Sequence, residues 1–379
     1  MKHRKRNRLI ALYALVLALC LCACGGLGGT AQGPAATPVA TAPAAVEGQL
    51  TVQFLDVGQA DCILIRQGAH AMLVDAGNNA DADFVCDTLA AQGVTALDWV
   101  VGTHPHEDHI GGLDAVIAQF DVQHVLMPRV QANTSTFEDV LDAVADKGLQ
   151  ITTPVVGTQM ALGQAQVTVL GPVRDYGDET NNWSVGLRVS YGETAFVLCG
   201  DAEAEAEADM LQTGLALSAD VLKLGHHGSS TSTSDAFLAA VQPSAVVISC
   251  GAGNSYGHPH AETLQKVAGL SVYRTDTQGT VTAVSDGQRV QFTTGAGDAQ
   301  PEATAQPEST VAPESTVPPE AEQTPQAQQV YVLNTRSKKF HLPACSGAAQ
   351  MAAANRAETT RSRQALLDEG YTPCSICQP

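Results

Sequence analysis

The stretch "GTHPHEDHIGGL" (residues 102–113) sets three histidines and two carboxylates within the six positions from His104 to His109, in a chain with only 11 histidines. It follows "LDWVV" (97–101), an apolar run with the length and composition of a buried strand. In an extended loop, residues i and i+2 project alike, so His104 and His106 converge, and Pro105 stiffens the pair. Asp108 and His109 are expected to project from the turn that follows, and Gly111-Gly112 let a helix start close behind. Imidazoles joined by a carboxylate in so short a span suit a divalent transition metal.

Outward from this loop, strand-like and helix-like stretches alternate. "LTVQFLDV" (50–57) and "CILIRQGAHAMLVDAG" (62–77) read as strands, the second broken by a turn at Gln67-Gly68. "DADFVCDTLAAQG" (81–93) has helical apolar spacing and a glycine stop. Further on come strands "VTVLGP" and "VGLRVSYGETAFVLCGD", helix "AEAEAEADMLQTG", strand "DVLKLGHHGS", helix "DAFLAAVQ", strand "SAVVISCG" and helix "HAETLQKVAG". Strands "SVYRT", "GTVTAVSD" and "QRVQFTT" close the series. Hairpins mixed with crossover helices imply α/β or α+β sheets covered by helices. "DVQHVLMP", with His124, fits an outer or edge strand, which makes that histidine structural. "AEAEAEA" reads as a solvated helix face.

Two low-complexity segments bound this domain. Residues 25–47 are a Gly/Ala/Pro tether, and 296–328 carry the repeats "PEAT", "PEST" and "PEST"; both lack apolar periodicity and are expected to be extended. The expected organisation is therefore an N-terminal targeting segment (1–24), the tether, a domain at 48–295, the linker, and a mini-domain at 329–379. The targeting segment has a basic start, "MKHRKRNR", then an apolar run of about fifteen residues, short of the roughly 20 that span a bilayer. Its end, Leu21-Cys22-Ala23-Cys24, resembles a bacterial lipobox, which implies an exported lipoprotein held by acyl chains at the outer face of the cell membrane. Residues 47–298 carry 9 basic and 31 acidic side chains, a net of −22. Such a domain is a poor general binder of polyanions; its acidity suits either a cation-loading site or plain solubility. Cys62, Cys86, Cys199 and Cys250 lie in apolar segments and read as buried thiols rather than a disulfide framework.

The matching pieces run in order: "FLDVGQADCILI" (54–65), "MLVDAGN" (72–78), "GTHPHEDHIGGL", "NNWSVGLRV" (181–189), "VLCGDAE" (197–203), "LKLGHHGS" (222–229) and "GNSYGHP" (253–259). They resemble the metallo-β-lactamase superfamily, in the branch of the extracellular domain of the competence protein ComEC, over residues 50–293. The resemblance implies a four-layer αββα sandwich with two divalent metals at the sheet edges, zinc favoured by the imidazole count and manganese open. It implies that His104 and His106 hold the first metal, that Asp108, His109 and His227 hold the second, and that Asp201 bridges them. His226 becomes a contact to substrate or to a ligand, although the two adjacent histidines could exchange roles. The third histidine that most members give the first metal is missing; "NNWS" stands in its place. Asn182, with Asn254 and Tyr256 of the glycine-rich loop, is therefore a candidate metal or substrate contact. Asp75 is expected to support a ligand, and Asp61 is left unassigned. His258, with Asp108, is the candidate catalytic pair, His258 as phosphate contact or proton donor.

In the tail, His341, Cys345, Cys374 and Cys377 have metal-knuckle spacing and suit one tetrahedral structural zinc. The segment resembles the zinc-binding domain of the DNA-repair protein Ada, with His341 where that family has its first cysteine, so alkyl transfer is not implied. The function expected of the whole is an exported dinuclear hydrolase of phosphodiesters, a nuclease ahead of a cell-wall phosphorylcholine-type esterase, with DNA as the candidate partner. The alternative is a surface-displayed protein that binds DNA or wall polymer on a degenerate hydrolase scaffold.

Overall fold

The computed structural model describes residues 48–295, 330–335, 338–342, 355–359, 361, 366 and 371–373. The targeting segment, the tether and Cys345, Cys374 and Cys377 lie outside them. The chain divides into two units, residues 1–308 and 309–379.

The larger unit runs β1 (Leu50–Phe54), β2 (Cys62–Gln67), β3 (His70–Ala76), α1 (Ala82–Ala91), β4 (Ala96–Val101), α2 (Glu107–Ile110), α3 (Leu113–Gln119), β5 (Asp121–Leu126), α4 (Ser135–Asp146) and β6 (Ile151–Thr152). It continues through β7 (Gln159–Leu162), β8 (Ala165–Val169), β9 (Leu187–Tyr191), β10 (Thr194–Leu198), α5 (Ala204–Gln212), β11 (Val221–Lys223), α6 (Asp235–Val241), β12 (Ala245–Ile248), α7 (Ala261–Lys266), β13 (Ser271–Arg274), α8 (Thr275–Gln278), β14 (Val281–Ser285) and β15 (Val290–Thr294). The first sheet has the order β15-β14-β1-β2-β3-β4-β5-β6, the second β13-β12-β11-β10-β9-β8-β7. The C-terminal strands thus return to the first sheet, where Leu50 pairs with Ser285 and Phe54 with Val281.

The period of two along the strands makes the layers. Leu50, Val52 and Phe54 of β1 face Val167, Val189 and Phe196 of the second sheet in one buried cluster. Leu64, Leu73 and Val100 turn the other way, onto Val85, Leu89, Val116 and Val140 of the helices. Val197, Leu222 and Val246 likewise meet Met210, Phe237 and Val241. Helix, sheet, sheet, helix is therefore the αββα sandwich the sequence implied. No helix among the described residues is long and apolar enough to cross a membrane.

Asp108 and His109 sit on the turn after the histidine pair, which is helical, α2. One element departs from the sequence reading. The face of α5 is not wholly solvated: Glu207 is buried and accepts the Thr233 and Ser234 N–H groups at 2.6 and 2.8 Å, and Glu203 turns toward the histidines. His124, on β5, packs against the Trp99 ring, which fits a structural role. Cys62, Cys86, Cys199 and Cys250 are buried free thiols.

In the smaller unit, β16 (Tyr331–Asn334), β17 (Lys339–His341), β18 (Arg356–Thr359) and β19 (Thr372–Pro373) form a sheet of order β18-β16-β17-β19. Tyr331, Leu333, Phe340, Leu366 and Tyr371 make its core, and His341 is buried.

Candidate metal centre

Three strand ends build the site. β4 leads into the histidine loop. β10 leads to Gly200, where a Cβ would lie 2.9 Å from the Thr103 side chain and 3.0 Å from Ser184 Oγ; glycine is what lets the two sheets' strand ends approach and sets Asp201 against the histidines. β11 leads to His226 (φ 50°, ψ 50°) and His227 (φ 54°, ψ 25°), consecutive residues in the left-handed region. Each costs of order 1–3 kcal/mol, and the turn swings both imidazoles toward Asp201.

His109 Nε2 lies 3.3 Å from Asp201 Oδ1. His227 Nε2 is 3.4 Å from Asp108 Oδ2 and 3.8 Å from Asp201 Oδ2. On the other side of Asp201, His104 Nε2 is 2.9 Å from His106 Nδ1 and 3.9 Å from Asp201 Oδ2, and His226 Nε2 is 3.6 Å from that same oxygen. The structure brings together all seven residues expected to surround the metals.

The far nitrogens are held by acceptors, which aims the near ones inward. His109 Nδ1 donates to Asp75 Oδ2 at 2.7 Å, and Asp75 also accepts the Thr103 N–H and hydroxyl at 2.8 and 2.7 Å. His227 Nδ1 donates to the Ser249 carbonyl at 2.9 Å. His104 Nδ1 lies 3.2 Å from Thr103 Oγ1 and 3.3 Å from Ser184 Oγ, which also accepts the Asp201 N–H. Beneath them, Lys223 Nζ pairs with Asp61 Oδ2 at 2.5 Å, both fully buried, and Asp61 Oδ1 is 3.5 Å from His227 Nδ1.

Burial opposes every charge here, and the neighbours decide the outcome. It is outweighed at His109, whose pKa Asp201, Asp75 and Asp108 hold well above the usual imidazole range, and at His227, pushed up to about 9 chiefly by Asp201. At His104 burial wins, helped by His109, and the pKa falls well below that range. Asp201 is held well below the carboxylate range despite burial, by His109 and His227, and Asp108 is pulled down to about 2 against burial, by His109 and His227. His109 Nε2, His227 Nε2 and Asp201 Oδ1 are buried without a hydrogen-bond partner. Unpaired buried groups cost about 1–3 kcal/mol each, and a divalent cation taking the place of the imidazole protons satisfies all three. Asp108, His109 and His227, and separately His104, His109 and Asp201, are close enough to hold one ion. The donor set fits the metals the sequence implied.

Above lies a cavity of about 350 Å³, walled by Gln59, His106, Asp108, Asn181, His226 and His258 among others. Tyr256 also lines it and is exposed. His258 has its pKa lowered to about 4 by burial, then by His226, His227 and His260. Two expectations need correction. Asn182 does not face the cavity: its Oδ1 accepts the Glu203 N–H at 3.0 Å and its Nδ2 reaches Glu205. Asn181 lines the wall instead, Nδ2 on Glu203 and Oδ1 buried and unpartnered. Asn254 is spent within its own loop, where Oδ1 accepts the Tyr256 and His258 N–H groups and Nδ2 donates to the Gly251 and His258 carbonyls.

The sequence reading passed over Lys223, Thr103, Ser184, Glu203 and Gln59. Lys223 alone left a signal, a charge inside the apolar run "DVLKLG".

Residues 55–252 match the family model described as the metallo-beta-lactamase superfamily. The chain belongs to that superfamily. Among curated relatives, ComE operon protein 3 of Bacillus subtilis is 34% identical over 250 residues, 61% of this chain and 32% of that protein. Competence protein ComA of Neisseria gonorrhoeae is 31% identical over 62% of this chain and 32% of its own length. These relatives set the chain in the ComEC-like branch of the superfamily, and it spans about a third of their length. Among solved structures, the metallo-beta-lactamase fold protein YhfI from Bacillus subtilis aligns with a TM-score of 0.41 at 14% identity, over 61% of this chain and 98% of that one.

Proposed function

We propose that this metallo-beta-lactamase-fold chain is a two-metal phosphodiesterase, with nucleic acid ahead of cell-wall phosphorylcholine esters as substrate. In this reading His104 and His106 hold one ion, Asp108, His109 and His227 the other, and Asp201 touches both. Zinc suits the imidazoles, and manganese is the competitor. Bound there, the ions supply Lewis acidity and make water a nucleophile near neutral pH. The chain's own groups do the rest. Asp108 and Asp201 would orient an attacking water, His226 and His258 would meet the phosphoryl oxygens or the leaving group, and exposed Tyr256 would offer a face to whatever the phosphate carries.

One observation carries the reading: His109 Nε2, His227 Nε2 and Asp201 Oδ1 converge, buried and partnerless, beside an open cavity that His227 and Asp201 help to line. The competence proteins among the relatives favour DNA. The test is the purified protein loaded with zinc or manganese and assayed on single-stranded DNA, double-stranded DNA and p-nitrophenylphosphorylcholine. His258→Ala should keep its metal and lose roughly 10²–10⁴ in rate. Fewer than about one ion per chain, counted by elemental analysis, would favour instead a binding protein on a degenerate scaffold.

The reading extends to the termini as export and anchoring through lipidated Cys24, and a structural zinc on His341, Cys345, Cys374 and Cys377. Cys24→Ala should release the protein from membranes; unchanged fractionation would sink the anchor. The tail zinc fails if chelation leaves its thiols unreactive.

A further inference from the structure

Gln59 and His258 come from opposite halves of the sandwich, Gln59 from the β1–β2 connection and His258 from the loop between β12 and α7. They meet in the cavity wall. Gln59 Oε1 accepts the Gly251 N–H at 3.0 Å. A backbone N–H only donates, so the carboxamide is fixed with its oxygen toward Gly251. Its Nε2 then stands 3.2 Å from His258 Nδ1. An amide NH₂ also only donates, so Nδ1 is the acceptor, and the single proton of the neutral ring is on Nε2. Among the described residues Nε2 has no hydrogen-bond partner. The contact is built rather than casual: a Cβ at residue 251 would come within 2.7 Å of the Gln59 backbone nitrogen, Asn254 staples the loop to itself, and the Tyr256 ring stacks on His258.

We propose that Gln59 is a positioning residue that locks His258 as the Nε2–H tautomer, so that the ring presents a hydrogen-bond donor, not a lone pair, to an anionic oxygen of the substrate. The choice of substrate oxygen rests on the phosphodiesterase reading; the tautomer does not. A ring protonated on Nδ1 would turn a bare nitrogen toward the phosphate and repel it.

Gln59→Glu tests this with an isosteric change. One carboxylate oxygen still accepts from Gly251, but the other can only accept, so His258 Nδ1 must carry a proton. In the zinc-loaded full chain labelled with nitrogen-15 histidine, long-range proton–nitrogen spectra should show His258 with Nδ1 bare and Nε2 protonated in the wild type, and with Nδ1 protonated and Nε2 bare in the variant at a pH where its ring is neutral. His258→Ala identifies the resonances. On bis(p-nitrophenyl) phosphate the variant should lose about 10²-fold in kcat, the scale of one lost oxyanion donor, with unchanged metal content. Gln59→Met, which imposes neither tautomer, should fall between. A wild-type ring protonated on Nδ1, or a Gln59→Glu variant with altered tautomer and undiminished kcat, overturns the proposal. A wild type that hydrolyses no phosphodiester sinks the substrate reading, and the spectra still decide the tautomer.

Discussion

Behind His109 and His227 stand Asp75, Asp61, Lys223 and the Ser249 carbonyl, all in buried residues; behind His104 stand two hydroxyls, and His106 is exposed at the start of α2. The two sides of Asp201 thus differ less in the ligands they offer than in how firmly those ligands are held. Ligands pre-aimed by buried partners lose little freedom on taking up an ion. The His109–His227 side should hold its ion tightly, and the His104–His106 side, one histidine short, should exchange it.

The largest expected effect erases the contrast. Asp201 faces both sides, so Asp201→Ala should lose both ions and several orders of magnitude in hydrolysis, read as metal content beside kcat. A variant with two ions and normal turnover would refute the bridging role, and with it the two-sided picture. Lys223→Met strikes only the firm side. It leaves Asp61 buried without its ammonium partner, which should cost about 3–5 kcal/mol in denaturant unfolding, and Asp61→Asn on top of it should recover most of that loss. If the double variant is no better than the single, the pair is not what supports His227.

A pH series sharpens the comparison in the metal-free protein. His227 is raised from an ordinary 6.5 to about 9 by its carboxylates. Its protonated form therefore contributes stability that is complete below about pH 6.5 and lost as pH rises through about 9. The thermal midpoint should fall across that window and stop falling once metal replaces the proton. The smallest effect is at Asp75→Asn, which weakens the grip on His109 without touching a ligand atom: roughly 10–100-fold in affinity for the tight ion, and less for the exchangeable one, whose His104 meets Asp75 only through Thr103. Equal losses at both would show that the two sides are not independent.

The αββα sandwich was legible because its signals are local. Buried strands read as apolar runs, and the histidine loop carries its spacing within six residues. The residues that the structure gathers around Asp201 were legible for the same reason, each standing just beyond an apolar strand. Of what holds them, Asp75 behind His109 was legible and the rest was not. Ser184 bridges His104 and the Asp201 backbone across 80 and 17 residues of sequence, and Asp61 meets Lys223 from the other sheet. Such pairs exist only once the sheets face each other. Asn181 and Asn182 show the limit at finest grain: adjacent and identical, they point to different places because a short 3₁₀ turn, Thr180–Trp183, carries them.

The candidate ligands are drawn from both sheets, His104 to His109 from the end of β4 and Asp201 and His227 from the ends of β10 and β11. On the proposed reading, a cation between them is a clasp across the cleft, and the unfolded chain has nothing equivalent to offer it. Holding the sandwich shut and holding the ion are then one equilibrium. Above its dissociation constant, each tenfold rise in free ion should add about 1.4 kcal/mol per site to the stability of the fold, so the melting temperature of this domain is a gauge of how much metal surrounds it.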